Sequence, residues 1–543
     1  MDRKDFLRSL INTRSPAYRR SGRVLFSGVN QYNGSWTVNE VSHLLKRTMF
    51  GAKKEDIDHF LSRTMEESVD ELLNTITIPS PPLRDYGLVE SEGVLYDDLG
   101  VAQGQTWIND PNMASAEVVR GSINRLRFDS LRKWWAGLII KQERSIQEKM
   151  VLFWQHHYSV QQEEVGHAGF LYRHHNLLRT NVLGNVKQLA KDVTIDPAML
   201  LHLNGYLNSR QAADENYSRE FQELFTIGKG TDSGFTEDDV IAAARVLTGW
   251  RVTYNPVGVF QDADAHDTSS KTFSPFYNNT VITGSSNAQL ELDALVDMIF
   301  ATTEASKFIC RKIYKWFVYY EIDEQTETNV ISPLAEILRN SNYEIKPMLS
   351  ALFKSEHFFD TLNQACYIKS PFDILVGTMR EFNIPFPAYT DYATGYPLFF
   401  SIYQNAAIMQ QDLFQPPDVS GYPAYTQEPM QYELWVNSNS LPRRADFTDS
   451  LIADQLIDVQ AFANYSSNPA DPDQLINDVT GLLLRYPLSV SSKNYVKTNF
   501  LLNNTTDNSI WTNAWNTNNT TVINSSLSEM FRFIMNLPEF HLC

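Results

Sequence analysis

Glu215-Asn216-Tyr217-Ser218-Arg219-Glu220-Phe221-Gln222-Glu223-Leu224-Phe225 sorts its residues by the geometry of a helix. At about 100° per residue, Tyr217, Phe221, Leu224 and Phe225 gather on one side. Asn216, Arg219, Glu220 and Glu223, at offsets of zero, three, four and seven, form a narrow polar stripe on another. A stretch that divides in this way is an amphipathic helix, and the same spacing recurs along most of the chain.

Working outward, Thr37 to Phe50 and Lys54 to Leu73 repeat the pattern, and Ser115 to Ile140 and Ile146 to Val160 read as long, largely buried helices. Thr236-Glu237-Asp238-Asp239 resembles a capping box with Asp in place of the usual Glu, ahead of Val240, Ala243, Ala244 and Leu247 and a stop at Gly249. Helical periodicity resumes in Leu290–Phe300, Lys307–Tyr320, Val330–Arg339, Pro347–Phe353, Pro371–Phe382, Phe447–Ala461 and Leu527–Met535. Proline-rich, acidic, Tyr/Gln-rich or Asn/Thr-rich stretches lack it, so 82–111, 251–286, 387–443 and 494–525 are expected as loops, with short strands in 251–286. The expectation is a mainly α protein. Residues 1–36 form an extension, and 37–543 form a single large multi-helical domain with long irregular loops and at most a few short strands.

The chain has 543 residues and a formal net charge of -18, ample for a core and contrary to the clustered Lys and Arg that a phosphate-backbone binder needs. No nucleic-acid partner is expected. Three cysteines, Cys310, Cys366 and Cys543, are too few and scattered for a disulfide framework. Cys310, among Phe308, Ile309 and Ile313, reads as a core thiol. No apolar run approaches the roughly 20 residues of a membrane span. Met1-Asp2-Arg3-Lys4-Asp5-Phe6-Leu7 resembles a twin-arginine export signal only loosely, without the apolar region that should follow, so a cytoplasmic location is expected.

Chemistry could reside in three places. The polar stripe offers an amide, a guanidinium and two carboxylates. Phe153-Trp154-Gln155-His156-His157-Tyr158 puts adjacent histidines on a helix, where neighbouring side chains diverge and cannot easily bind one ion together. His266-Asp267 lies in an irregular segment that could complete a site with Glu220 and Glu223. Mixed imidazole and carboxylate donors suit a divalent metal ion without choosing which one. The metal candidates are therefore Glu220, Glu223, His156, His157, His266 and Asp267. Arg219, Glu220, His157 and Asn216 are the candidate catalytic groups. Glu220 and Glu223 lack the Glu-x-x-His pairing of a di-iron bundle, and no HExxH, GxSxG, GxGxxG or P-loop pattern occurs. A bland alternative pairs Arg219 with Glu223 and Asn216 with Glu220 along the helix, as a solvated or bridging face.

The order of several segments resembles a known family. His43 to Gly51, Lys149 to Tyr158, Asp196-Pro197-Ala198-Met199-Leu200, Glu215 to Gly228, Ala242 to Trp250, His266-Asp267, Lys369-Ser370-Pro371 and Phe414-Gln415-Pro416-Pro417-Asp418-Val419 are similar, in this order and over nearly the whole chain, to the bacterial family catalogued as domain of unknown function 1800. The resemblance implies one mostly helical domain and supplies no reaction. It also implies a neighbouring partner family with a sulfatase-like or phosphatase-like fold. Two departures stand out: Gln155-His156-His157, where His-x-His is expected, and Phe221, where an aliphatic residue is usual.

Two functions follow as expectations. One is a metal-dependent enzyme built on the Asn/Arg/Glu/Glu stripe. The other is a non-catalytic binding or assembly protein, whose Arg/Glu/His cluster is a buried structural network and whose Tyr-rich and Asn-rich loops, near Tyr422–Trp435 and Trp511–Trp515, contact a protein partner.

Overall fold

A computed structural model describes residues 27–91, 93–98, 100–111, 117–229 and 233–543; the export-signal reading at Met1 to Leu7 and most of the proposed extension lie outside the described residues. The principal helices, in chain order, are α1 (Val38–Thr48), α2 (Lys54–Leu61), α3 (Met65–Asn74), α4 (Glu117–Ile140), α5 (Gln147–His157), α6 (Ala168–Thr180), α7 (Glu215–Glu220), α8 (Glu237–Val246), α9 (Ala288–Phe300), α10 (Thr303–Phe317), α11 (Pro371–Glu381), α12 (Gly395–Ile408), α13 (Ser440–Ala453), α14 (Asn508–Asn516) and α15 (Thr520–Met535). Three antiparallel hairpins supply the strands: β1 (Val89–Ser91) with β2 (Val94–Tyr96), β3 (Trp250–Tyr254) with β4 (Val257–Gln261), and β5 (Lys271–Thr272) with β6 (Val281–Ile282). The protein is mainly α, as the periodicity predicts. Among the described residues no helix is long and apolar enough to cross a membrane.

One apolar core runs from Val41 near the start to Cys543. At its centre lie α5 and α11, every residue of which is buried. Such helices must pair their polar side chains, because an unpaired buried group costs about 1–3 kcal/mol. Glu148 of α5 takes Arg179 in a fork, with Nη2 2.8 Å from Oε2; Lys149 pairs with Asp373 of α11; the N–H of Thr77 reaches Gln147 at 2.8 Å. The turn after α1 seats directly on α11. Gly51 has φ +79, and a Cβ there would lie 2.7 Å from the backbone of Gly377, so this approach requires glycine.

Four expectations change. Lys54–Leu73 is two helices, because the Thr64 side chain and Glu67 close a capping box that starts α3 afresh. The expected loop at 387–443 contains α12, which buries Tyr396, Phe399, Ile402, Tyr403 and Ala406 and packs along α4; aromatic composition hid a regular helical stripe. The expected loop at 494–525 holds α14 and the start of α15, capped by Asp507 and Asn519. Asn and Thr are weak helix formers, but these caps and the burial of Trp511, whose indole donates to the Pro469 carbonyl at 2.8 Å, outweigh propensity. Tyr422, Tyr432, Trp435 and Trp511, expected in partner-facing loops, are buried in the core.

Candidate functional site

α7 begins at Asp214, whose side chain accepts the Asn216 N–H at 2.9 Å. Its apolar side is anchored by Tyr217, which donates to Thr194 Oγ1 at 2.9 Å. After Glu220 the backbone widens from α to π over Phe221–Thr226. The Ile227 N–H bonds the Gln222 carbonyl, five residues back, at 2.8 Å. The extra residue per turn changes the direction of Glu223, so the polar stripe of an ideal α-helix divides here. π-turns are rare and recur at functional sites.

The N-terminal half of the stripe turns to the surface. Arg219 binds Glu237 at the start of α8 with both nitrogens, 2.8 and 2.6 Å, and Glu215 at 3.1 Å. Asn216 is exposed, and its amide reaches the Leu203 carbonyl at 3.4 Å. Neither residue is directed at the cavity described next. The C-terminal half turns inward: Glu223 pairs with Lys229 at 2.8 Å and approaches Arg219 only to 4.0 Å.

Glu220 stands between these two groups. Its Oε2 is buried and has no hydrogen-bond partner among the described residues. Burial pushes its carboxyl above the usual carboxylate range, Glu223 and Asp418 add to that push, and Lys229 and Arg219 oppose it. Glu223, Lys229 and Asp418, which act on its carboxyl, line a cavity of about 710 Å³ together with Phe308, Lys312 and Tyr425 among others; Glu220 itself is not part of that lining. The cavity shares Glu304, Arg311, Lys315 and Glu428 with a wider cleft of about 1200 Å³.

The opposite wall is α10. Glu304, Lys307, Phe308, Arg311, Lys312 and Lys315 recur at helical offsets, so one face of α10 lines both spaces. Most of its cations are neutralised. Arg311 lies 2.7 Å from Glu327 and also pairs with Glu304, and Lys315 lies 3.2 Å from Glu428. Lys312 has no ion pair among the described residues; its ammonium sits 5.3 Å from the Phe308 ring centroid. Burial, reinforced by Lys315, lowers its pKa to about 8.

Both histidines of α5 are buried behind this wall. His157 Nε2 lies 3.1 Å from the Phe225 carbonyl and donates to it, tying α5 to the π-turn and leaving Nδ1 buried without a partner among the described residues. Burial, with Lys312 adding, lowers its pKa to about 3. His156 Nδ1 accepts the Tyr422 N–H at 3.1 Å, and its ring stacks on Trp316 at 5.6 Å. Burial again holds it well below the usual imidazole range. The two imidazoles thus diverge, as adjacent residues on a helix must.

His266 and Asp267 belong to a different neighbourhood. His266 Nδ1 is 2.8 Å from the Thr248 carbonyl, and Nε2 faces Glu291 at 3.4 Å; Glu291 also pairs with Lys271. Asp267 is held by Arg245 at 2.8 Å. Against the upward push of burial, hydrogen bonds from Ser269 and Arg245 keep its carboxyl well below the usual range. The six residues proposed for a divalent metal therefore do not converge, and among the described residues no group of three or more His, Cys, Asp or Glu is arranged to hold a metal ion.

Sequence reasoning found Glu220, Glu223 and His157 but did not single out Lys312, Lys229, Asp418 or Tyr425. The stripe on α10 was legible as spacing. That Lys312 alone among its lysines lining the cavity lacks a carboxylate among the described residues was not, because Glu304, Glu327 and Glu428 meet their partners only in the fold. Over residues 43–542 the chain matches the family model described as a protein of unknown function, DUF1800. No curated protein and no solved structure matches it.

Proposed function

The chain belongs to the DUF1800 family, whose description assigns no reaction, and from its own geometry we propose an enzyme that handles a polar substrate by proton transfer, with Glu220 as the proton-carrying group at the cavity between the π-turn, α10 and the 418–428 segment. One observation carries this reading. Glu220 keeps a buried carboxylate oxygen without a partner among the described residues, next to two further carboxylates that raise its proton affinity. Proteins retain such costly groups where chemistry uses them. In this reading Glu223 and Lys229 form the charged pair beside Glu220, Asp418 supports its protonated form, and Lys312 meets a negative or carbonyl-like group of the substrate.

A second reading, a non-catalytic assembly protein, draws on Arg219. Its two-pronged pairing with Glu237 ties α7 to α8 and leaves no free guanidinium for a substrate. Glu220→Gln separates the two without knowledge of the substrate. An energetically costly catalytic carboxyl, replaced by a neutral amide of the same shape, should leave the unfolding free energy unchanged or raise it by up to about 1 kcal/mol, while turnover on a panel of chromogenic esters, glycosides, sulfates and phosphates disappears. A loss of about 2 kcal/mol or more would mark Glu220 as part of a structural network and sink the catalytic assignment.

A further inference from the structure

The wider cleft of about 1200 Å³ continues the cavity of about 710 Å³ along one face of α10. From Glu304 to Lys315 that face advances about 16 Å at roughly 1.5 Å per residue. The cleft alone exceeds the roughly 300–1,000 Å³ of sites that enclose a small molecule. Its length matches about five residues of extended polypeptide at roughly 3.3 Å each. The shape therefore suits a chain that lies along α10 and reaches past the inner cavity.

Charge selects the kind of chain. The lining of the outer cleft holds six carboxylates and three cations, and each cation already has a partner. Lys307 lies 3.6 Å from Glu327, Arg311 lies 2.7 Å from the same carboxylate, and Lys315 lies 3.2 Å from Glu428. Glu321, Asp323 and Glu324 are exposed and form no ion pair among the described residues; Asp323 accepts the Thr326 N–H at 2.7 Å as a helix cap. The inner cavity, by contrast, is lined by four carboxylates and four cations. The negative excess is thus confined to the outer cleft, where it repels a polyanion and attracts a cationic chain.

We propose that the outer cleft binds an extended polypeptide segment rich in Lys or Arg, whose side chains meet Glu321 and Glu324 while its backbone follows α10 toward Lys312. A polypeptide brings a carbonyl at every residue, which is the kind of group assigned above to Lys312. That this polypeptide is also the substrate rests on the proton-transfer reading of Glu220; the binding does not.

The test is fluorescence anisotropy of labelled hexalysine, hexaserine and hexaglutamate with the full chain at low salt. Hexalysine is expected to bind at least about ten times more tightly than the other two and to lose most of that advantage at about 0.5 M salt. Glu321→Gln combined with Glu324→Gln, at two exposed side chains without an ion pair among the described residues, should weaken hexalysine at least about three-fold and leave Tm unchanged. Asp446→Asn combined with Asp454→Asn makes the same charge change at exposed positions on α13 and its C-cap, outside the cleft lining, and should leave hexalysine binding unaltered. Equal weakening by both pairs, no weakening by the Glu321 and Glu324 pair, or hexaserine binding as tightly as hexalysine overturns the assignment. Glu220→Gln is expected to bind hexalysine like wild type. Anisotropy needs no turnover, so a failure of the catalytic reading and a failure of this one give different results.

Discussion

The clearest residue is Lys312. Its pKa of about 8, against 10.5 for an ordinary lysine, means that roughly half of its amine is free at pH 8, where an unperturbed lysine is under about 1% free. In limited acetylation at that pH, read by peptide mass spectrometry, Lys312 should be modified at least about ten times faster than Lys229, whose side chain is 63% exposed but ion-paired. Equal or slower labelling would show that Lys312 is either charged or closed off. Arg219 teaches the converse. It was the most conspicuous charge in the sequence, yet Glu237, eighteen positions away, meets it with both oxygens. Residue type and spacing located the polar helix; the partners that consume or spare each charge come from other segments.

Elements differed in how much of their behaviour local sequence dictates. The capping box at Thr236 forms as expected, with Asp239 reaching back to the Thr236 N–H at 2.8 Å, because every atom involved lies within four residues. The α-to-π change after Glu220 has no comparable local signal, and beyond it Glu223 lies 2.8 Å from Lys229 but only within 4.0 Å of Arg219. The segment at Gly421 is equally silent in sequence. Gly421 has φ +92, and a Cβ there would stand 2.1 Å from His156 Nδ1, the atom that accepts the Tyr422 N–H. Gly421→Ala should therefore cost about 2–4 kcal/mol and open the cavity wall. Urea unfolding measures the first, and protease cleavage within 418–428 the second; a change under about 0.5 kcal/mol would mean the segment moves aside freely.

At the scale of the whole molecule, buried neutral histidines couple stability to pH. Burial is the main cause in each case: it lowers His43 and His157 to about 3, lowers His167 and His202 to about 4, and holds His156, His175 and His541 well below 6.5. The unfolded chain binds protons below 6.5 while the folded one does not, so the stability these groups confer is complete above 6.5 and is lost as pH falls from there to about 4 for His167 and His202 and to about 3 for His43 and His157. Each contributes a slope of about 1.4 kcal/mol per pH unit. Urea midpoints should drop steeply over that interval, and His157→Phe should reduce the slope by about one proton; a flat profile between pH 7 and 5 would contradict the burial of these imidazoles as neutral groups. The sequence by itself determined the mainly α class, most helix positions and the stripe that holds Glu220, since helical periodicity and caps act over a few residues. Only the tertiary structure decided that Arg219 faces outward, that His266 and Asp267 lie apart from Glu220, and that Lys312 and Asp418 join it. Those outcomes depend on which distant charges meet in a low-dielectric interior, and no local pattern encodes that meeting.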